Sequence, residues 1–199
     1  VASDFSECAA DALRYAARHA AVAGFDHQLI LVAGGPAMFD EPIETILVAS
    51  DFSECAADAL RYAARLAHQH GARIEIVHAV DAITIPHPSI EMQRALRDRL
   101  DELDAICAGF EVESTSKYVS GHAWDVVPDE ARSTRSQLIV TGARGWTQLS
   151  WLRLGRTADR ILRSAPVPVI TVPLGTAPKP IERALIAVVR VGHREGAGL

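Results

Sequence analysis

Three glycines, Gly142, Gly145 and Gly155, follow an apolar run at 138–140 that is typical of a buried parallel strand. Glycine has no Cβ, so backbone N–H groups in such a loop can approach a ligand closely. A helix is predicted at 157–164, and its positive N-terminal end would point at the same loop. The combination indicates a phosphate-binding site. Tight turns and close packing without a ligand are the alternative explanation of the glycines.

A carboxylate, Asp51, follows a second predicted buried strand at 46–49. Ser53 can accept a hydrogen bond as the N-cap of the helix that comes next, and Glu54 favours its positive end. Asp51 would contribute a negatively charged hydrogen-bond acceptor to a ligand site. The alternative is that Asp51 is a helix-capping or loop carboxylate without a ligand.

The elements that must position these residues alternate between strand and helix. Five strands separated by helices predict an α/β fold with a doubly wound, five-stranded parallel sheet and helices on both faces. Right-handed crossovers and one reversal of winding favour the strand order 3-2-1-4-5. The predicted strands lie at 46–49, 74–80, 112–119, 137–141 and 167–172, and the helices at 53–65, at 89–109, from Pro128 onward and at 157–164.

The winding reverses between strands one and four, and ligands in such sheets bind at the carboxyl ends of the strands beside that point. Asp51 follows strand one there, and Gly142 follows strand four. Because adjacent strands lie about 4.8 Å apart, we expect Asp51 within about 10 Å of the loop from Gly142 to Gly145.

The chain contains an unusual repeat. Residues 1–18 recur without change at 48–65, whereas the copies of an ordinary repeat family diverge. Only the second copy follows a complete strand. We therefore predict a partial duplicated unit or an artefact at 1–40 and a complete domain at 41–174. A linker and a truncated, strand-like tail are predicted at 175–199.

Composition excludes several classes of function. The chain is 49% hydrophobic and 23% charged with a net charge of −5, and it lacks the clustered lysines and arginines that nucleic-acid binding needs. No apolar run approaches the roughly 20 residues of a membrane span. The three cysteines form no CxxC pair and show no metal-ligand spacing, so we expect free thiols in a reducing cytoplasm and no metal site.

Three segments resemble the universal stress protein family: 49–54 (ASDFSE), 76–79 (IVHA), and the glycine loop together with 165–169 (APVPV). The resemblance covers roughly 43–172. It implies the sheet predicted above, a homodimer, and in many members the binding of ATP, with Mg²⁺ as a candidate companion of the nucleotide. It also implies that Asp51 contacts the ribose or adenine side, and that the backbones of Ser50 and Ala79 border the adenine.

The resemblance also implies that residues 142–145 and 155–157 hold the ribose and the phosphates. One position departs from the pattern, because ATP-binding members usually place Ser or Thr directly after the last glycine. Arg156 stands there, either as a bulky obstacle, as a phosphate ligand, or as a partner of Asp159. The implied nucleotide-binding residues are Ser50, Asp51, Ala79, Gly142, Ala143, Arg144, Gly145, Gly155, Arg156 and Thr157.

The sequence thus predicts a cytoplasmic stress-response or regulatory module that binds ATP or a related adenine nucleotide. The alternative is a nucleotide-free module for dimerisation and partner binding. An enzyme is disfavoured because no Walker lysine follows the glycines, although slow ATP hydrolysis stays open. Strand five, at 167–172, is predicted to be an apolar edge that pairs two subunits, unless the strand-like run at 185–189 covers it within the chain.

Overall fold

The computed structural model describes residues 31–33, 42–81, 89–143 and 155–176. These residues form one six-stranded sheet and four helices. The strands are β1 (Leu31–Ala33), β2 (Thr45–Ala49), β3 (Arg73–Val80), β4 (Ser114–Ser120), β5 (Leu138–Gly142) and β6 (Val169–Val172); the helices are α1 (Glu54–His70), α2 (Ile90–Ala108), α3 (Ala123–Ser133) and α4 (Arg156–Ser164).

The order across the sheet is β4-β3-β2-β5-β6-β1. Strands β4, β3, β2, β5 and β6 are all parallel, so the predicted five-stranded order 3-2-1-4-5 is confirmed. Register places Ala49 opposite Val77 on one side and opposite Thr141 on the other. The reversal of winding therefore lies between β2 and β5, where the sequence predicted it.

Helices cover both faces of the sheet and create two apolar cores. On the face of α1 and α2, Ile46 and Val48 of β2 pack against buried residues such as Leu60 and Leu103. On the face of α3 and α4, Leu47 packs with residues such as Ile161. Successive residues of β2 thus face opposite cores, which explains why this strand is continuously apolar.

Helix α1 begins and ends at residues suited to those positions. The Ser53 side chain accepts a hydrogen bond from the Ala56 N–H at 3.2 Å, which is the expected N-cap bond. Gly71 ends the helix with φ 66°, a left-handed conformation that favours glycine. The predicted cap is confirmed, and the helix extends beyond its predicted end at Arg65 as far as His70.

The predicted start of α3 at Pro128 is wrong, because the helix begins at Ala123 and includes the proline. Proline lacks the N–H that would bond to the carbonyl four residues earlier, on Trp124. The Ser164 hydroxyl of α4 lies 3.2 Å from that carbonyl oxygen and 3.0 Å from the Arg160 carbonyl oxygen, so its one hydrogen is shared between the two. A side chain from a neighbouring helix is therefore within hydrogen-bond distance of the acceptor that Pro128 leaves open.

Strand five of the prediction, now β6, is not an edge strand in this structure. Strand β1 pairs with it antiparallel, with Leu31 opposite Thr171 and Ala33 opposite Val169. The prediction that 167–172 is the last strand of the sheet is therefore wrong for this chain, whereas the dimer expected through this strand stays a prediction. The edge is covered from within the chain by residues that precede the domain. The run at 185–189 lies outside the described residues.

Part of the predicted organisation also lies outside the described residues, namely the first copy of the repeat at 1–18 and the tail from 177 to 199. Within the described part of the chain, no helix is long and apolar enough to cross a membrane. Cys55 and Cys107 are both buried there. Burial raises the pKa of the Cys107 thiol to about 11, which keeps it protonated and unreactive.

Candidate functional site

The candidate site lies at the carboxyl ends of β2 and β5, where the chain leaves two adjacent parallel strands. Ser50 and Asp51 follow β2, and Ala143 follows β5. Ser50 extends the pairing by donating its N–H to the Val77 carbonyl at 3.0 Å, and Ala143 donates to the Val172 carbonyl at 2.8 Å. Both loops therefore start from fixed positions on the same edge of the sheet.

Hydrogen bonds to side chains hold the loop from Ser50 to Ser53 in one conformation. The Ser50 hydroxyl accepts from the Phe52 N–H at 3.1 Å. One carboxylate oxygen of Asp51 accepts from the Ser53 N–H at 3.0 Å. Asp51 is thus a loop carboxylate, as the alternative explanation proposed, and it is also exposed. Its second role, contact with a ligand, remains a prediction.

Phe52 is a feature of this loop that the sequence did not identify. Its φ is 61°, a left-handed conformation that costs a non-glycine residue about 1 kcal/mol or more. The His78 ring lies against the Phe52 ring, with centroids 4.2 Å apart. Arg99 of α2 lies 5.5 Å from the centroid of the Phe52 ring and donates to the Phe52 carbonyl at 3.3 Å. Contacts from two other elements therefore stabilise the strained residue beside Asp51.

His78 joins β3 to this loop. Its Nδ1 lies 2.8 Å from the Ser50 carbonyl oxygen, and because a carbonyl can only accept, Nδ1 carries the hydrogen. Burial lowers the pKa of His78; the bond to Ser50 and the charge of Asp51 oppose that effect in part. The ring is therefore neutral at pH 7, and it acts as a hydrogen-bond donor that fixes the end of β2.

The lowered pKa of His78 predicts how stability depends on pH. The unfolded chain takes up a proton near the ordinary pKa of 6.5, before the folded chain does. Stability contributed by the neutral ring is therefore present above pH 6.5 and is lost as pH falls through the folded pKa, with a slope of at most about 1.4 kcal/mol per pH unit. Urea unfolding between pH 7.5 and 5 checks this.

His78→Asn should flatten this pH dependence while keeping an N–H donor near the position of Nδ1. His68→Asn is the matched control, because His68 is exposed in the last turn of α1, and it should leave the slope unchanged. Equal slopes for the parent and His78→Asn would contradict the assignment of a neutral His78.

Gly142 is explained by close packing. A Cβ at this position would lie 3.1 Å from the carbonyl carbon and the Sγ of Cys55 and 3.2 Å from the backbone N of Ala56. The Cys55 thiol also donates to the Val172 carbonyl at 3.3 Å. Gly142 therefore allows the first turn of α1 to approach the end of β5, because a side chain at this position would point at that helix.

The N-terminus of α4 is the second half of the candidate site. Gly155 is its N-cap and donates its N–H to the Ala143 carbonyl at 2.8 Å, which attaches the start of the helix to the end of β5. Among the described residues, which exclude the preceding loop at 144–154, no side chain accepts a hydrogen bond at this N-cap. Exposed Arg156 and Thr157 occupy the first turn. Uncapped N–H groups at a helix start carry partial positive charge and favour an anion.

Arg156 does not use the partner that the sequence suggested for it. Asp159 forms a paired contact with Arg163, one turn later, at 3.0 and 3.2 Å. Asp159, near the start of α4, is thus paired with Arg163 near the end of the same helix. The Arg156 guanidinium thus remains at the exposed N-terminal turn.

The structure brings most of the predicted site residues to one edge of the sheet. Ser50 is buried, Asp51 is exposed, and Ala79 is half-buried near the end of β3. Arg144 and Gly145 lie outside the described residues. Among the described residues, no group of three or more His, Cys, Asp or Glu is placed to hold a metal ion.

Sequence reasoning missed Phe52 and Arg99. Phe52 could have been suspected from its position beside Asp51, but its left-handed backbone has no pattern that the sequence reveals. Arg99 comes from a helix some fifty residues away, so only the tertiary packing of α2 identifies it.

This fold and loop arrangement agrees with comparisons to known proteins. The model of the universal stress protein family matches residues 42–173. The chain belongs to the universal stress protein family. A curated relative from Thermus aquaticus, described as a universal stress protein in a QAH/OAS sulfhydrylase 3′ region, is 30% identical over 112 residues, which is 53% of this chain and 81% of the relative.

Solved structures of universal stress proteins share the fold of this member. One from Archaeoglobus fulgidus, in complex with dAMP, is 23% identical with a TM-score of 0.54; the match covers 66% of this chain and 99% of that one. Another, in complex with cAMP, is 17% identical with a TM-score of 0.58 and covers 68% of this chain and 100% of that one. At these identities the likeness establishes the fold of this universal stress protein domain.

Proposed function

We propose that this universal stress protein domain is a non-catalytic stress-response or regulatory module of the cytoplasm that binds ATP or a related adenine nucleotide. The observation that carries the proposal is the N-terminus of α4, which is attached by Gly155 to the end of β5 at the switch point and has no side-chain cap from the part of the chain that the structure describes. A helix start of this kind is suited to phosphate. Two structural neighbours were solved with adenine nucleotides, dAMP and cAMP.

The phosphates are assigned to the first turn of α4. Its backbone N–H groups offer hydrogen bonds, the Thr157 hydroxyl adds a donor, and the Arg156 guanidinium adds positive charge. Mg²⁺, when present, would arrive with the phosphates, since Mg²⁺ commonly binds to substrate phosphates and few protein groups.

The adenine is assigned to the ends of β2 and β3. The Val77 carbonyl faces β2, because it accepts the Ser50 N–H, and the Val80 carbonyl faces β4, because it accepts the Gly121 N–H. Backbone groups alternate along a strand, so those of Ala79 face the β2 side beyond the last residue of that strand. We assign these backbone groups to the edge of the base and the exposed Asp51 to the ribose.

Gly155→Asp tests the phosphate assignment. An aspartate at this N-cap should accept a hydrogen bond from the first turn of α4 and stabilise the helix by a few tenths of a kcal/mol relative to glycine. Its charge would occupy the place proposed for phosphate and repel it. We expect ATP affinity to fall at least about tenfold while the Tm is unchanged or higher, as measured by calorimetric titration and thermal unfolding.

Gly155→Asn is the matched control, since asparagine has the same shape and capping ability without the charge. It should lose less affinity than Gly155→Asp. Equal affinity of the parent and Gly155→Asp for ATP would place the phosphates elsewhere. Absence of ATP binding by the parent protein would favour a nucleotide-free module for partner binding, which is also consistent with the packing role of Gly142.

A non-catalytic role is part of the proposal. No lysine stands in the Walker position after the glycines. Steady release of phosphate from ATP by the purified protein, abolished by Gly155→Asp, would overturn it.

A further inference from the structure

Strand β1 lies outside the region that matches the family model, which begins at residue 42. It adds a sixth strand, the only antiparallel one in the described sheet, to the side of β6 that faces away from β5. The protein therefore carries its own strand for the edge at which the five-stranded sheet would otherwise end.

The β6 edge is well suited to accept a strand. Val169–Val172 are all buried and carry no charge. Unpaired edges of this composition pair readily with other chains, and proteins usually protect them. Strand β1 has only three residues and is followed in sequence by Gly34, Gly35 and Pro36, a length and composition that discourage further pairing on its outer side.

The backbone pattern identifies which groups form this contact. Ile139 donates to the Pro168 carbonyl and Ala143 donates to the Val172 carbonyl. Because backbone groups alternate along a strand, those of Val169 and Thr171 face β1. Their partners in register are Ala33 and Leu31, so these two positions form the hydrogen-bonded pairs, and the N–H of Val32 points away from β6.

The segment between β1 and β2 is long enough for β1 to reach β6 of its own chain. β1 runs antiparallel and reaches Ala33 at the amino end of the sheet, where β2 begins at Thr45. Three strand spacings separate β1 from β2, or about 14 Å. The segment 34–44 can extend to about 36 Å. A segment tethered in this way has an effective concentration on the order of millimolar, which a second chain at micromolar concentration does not match.

We propose that Leu31–Ala33 is an edge cap that occupies the β6 edge in cis and prevents that edge from pairing with a second copy of this chain. The homodimer through strand five, expected from the sequence, then forms only when the cap leaves. The interaction surface is the outer edge of β6, and the partner that it fits in the absence of the cap is another copy of the same chain.

Two proline variants of the full chain test the edge cap. Ala33→Pro removes an N–H that bonds to Val169 and should release β1, whereas Val32→Pro places the same residue where the N–H faces away from β6. In sedimentation at micromolar concentration, we expect the parent and Val32→Pro to remain monomers of 21.4 kDa, and Ala33→Pro to form a species of twice that mass.

Amide hydrogen exchange shows whether β1 has left and whether the sheet is intact. At concentrations where Ala33→Pro is still monomeric, the amides of Val169 and Thr171 should exchange at least about tenfold faster than in the parent, while those of Ile170 and Val172, which face β5, stay protected. If Ala33→Pro does not fold, Leu31→Pro removes the second hydrogen-bonded pair and serves the same purpose.

Three results would overturn the proposal. The first is a parent chain that is already dimeric at micromolar concentration. The second is rapid exchange of Val169 and Thr171 in the parent monomer. The third is a variant in which these amides are released but the chain stays monomeric up to millimolar concentration.

Discussion

Gly142→Val should destabilise the domain by about 3 kcal/mol or more, the upper end of the usual cost of overpacking a core. The added Cβ would meet the backbone of Cys55 and Ala56 at 3.1 and 3.2 Å. Backbone atoms in the first turn of a helix cannot rotate away, so α1 must move off the sheet. We expect a Tm lower by on the order of 10 °C and, because the site edge is distorted, loss of nucleotide binding as well.

Gly71 offers a comparison in which the cost has another origin. A Cβ at Gly71 has no atom within 4 Å, but the residue has φ 66°. Gly71→Asn should therefore be mild, since asparagine tolerates the left-handed conformation, whereas Gly71→Ala should cost about 1 kcal/mol. At position 142, Asn should destabilise the domain more than Ala, because the size of the added side chain and not φ determines the cost. An unchanged Tm for Gly142→Val would show that α1 does not pack against this position as described.

The close packing at Gly142 changes the role of a residue that the sequence assigned to a phosphate site. The glycine loop predicted a phosphate site, with close packing as the alternative explanation. At Gly142 the structure supports close packing, and at Gly155 it shows a helix start suited to an anion. Gly142 is the last residue of β5 and Gly155 comes after that strand in sequence, so spacing alone could not separate a packing role from a binding role.

The parallel sheet could be predicted because its determinants are local. Continuous apolar strands, the Ser53 cap and the Gly71 stop each depend on neighbouring residues in sequence. The start of α3 could not be predicted in the same way. Pro128 locally favours a helix start, and its place inside the helix is compatible with the fold because the Ser164 hydroxyl, thirty-six residues later, lies within hydrogen-bond distance of the Trp124 carbonyl.

The sequence also could not predict which residues cover the β6 edge of the sheet. The apolar character of β6 correctly indicated that this strand would not face water, but it did not identify what covers it. Leu31–Ala33 are three residues with no charge or periodicity that specifies a partner, and their pairing depends on the tertiary position of β6. The left-handed Phe52 is likewise held by His78 and Arg99 from other elements.

Arg156→Glu should separate nucleotide binding from stability most clearly. A glutamate in the first turn of α4 interacts favourably with the helix dipole, so the Tm should stay constant or rise slightly. The same change replaces a positive charge by a negative one where the phosphates are proposed to bind. A charged hydrogen bond contributes about 1.5–3 kcal/mol, so the loss of attraction together with new repulsion should weaken ATP binding by about 100-fold.

Arg156→Ser decides between the two remaining explanations of this residue. Since Asp159 is engaged by Arg163, we expect Arg156 to bind phosphate, and serine should weaken ATP binding by about tenfold. Tighter binding by Arg156→Ser would show instead that arginine obstructs the site.

Arg132→Glu is the control for net charge. Arg132 lies in the last turn of α3, and because α3 begins at the carboxyl edge of the sheet, its last turn lies toward the opposite edge. This variant should change ATP affinity less than about twofold at the same ionic strength, because screening limits the effect of a distant exposed charge. Calorimetric titration of the three variants and the parent provides the comparison. Equal affinities of the parent and Arg156→Glu would remove the start of α4 from the nucleotide site, even if ATP binds elsewhere on the domain.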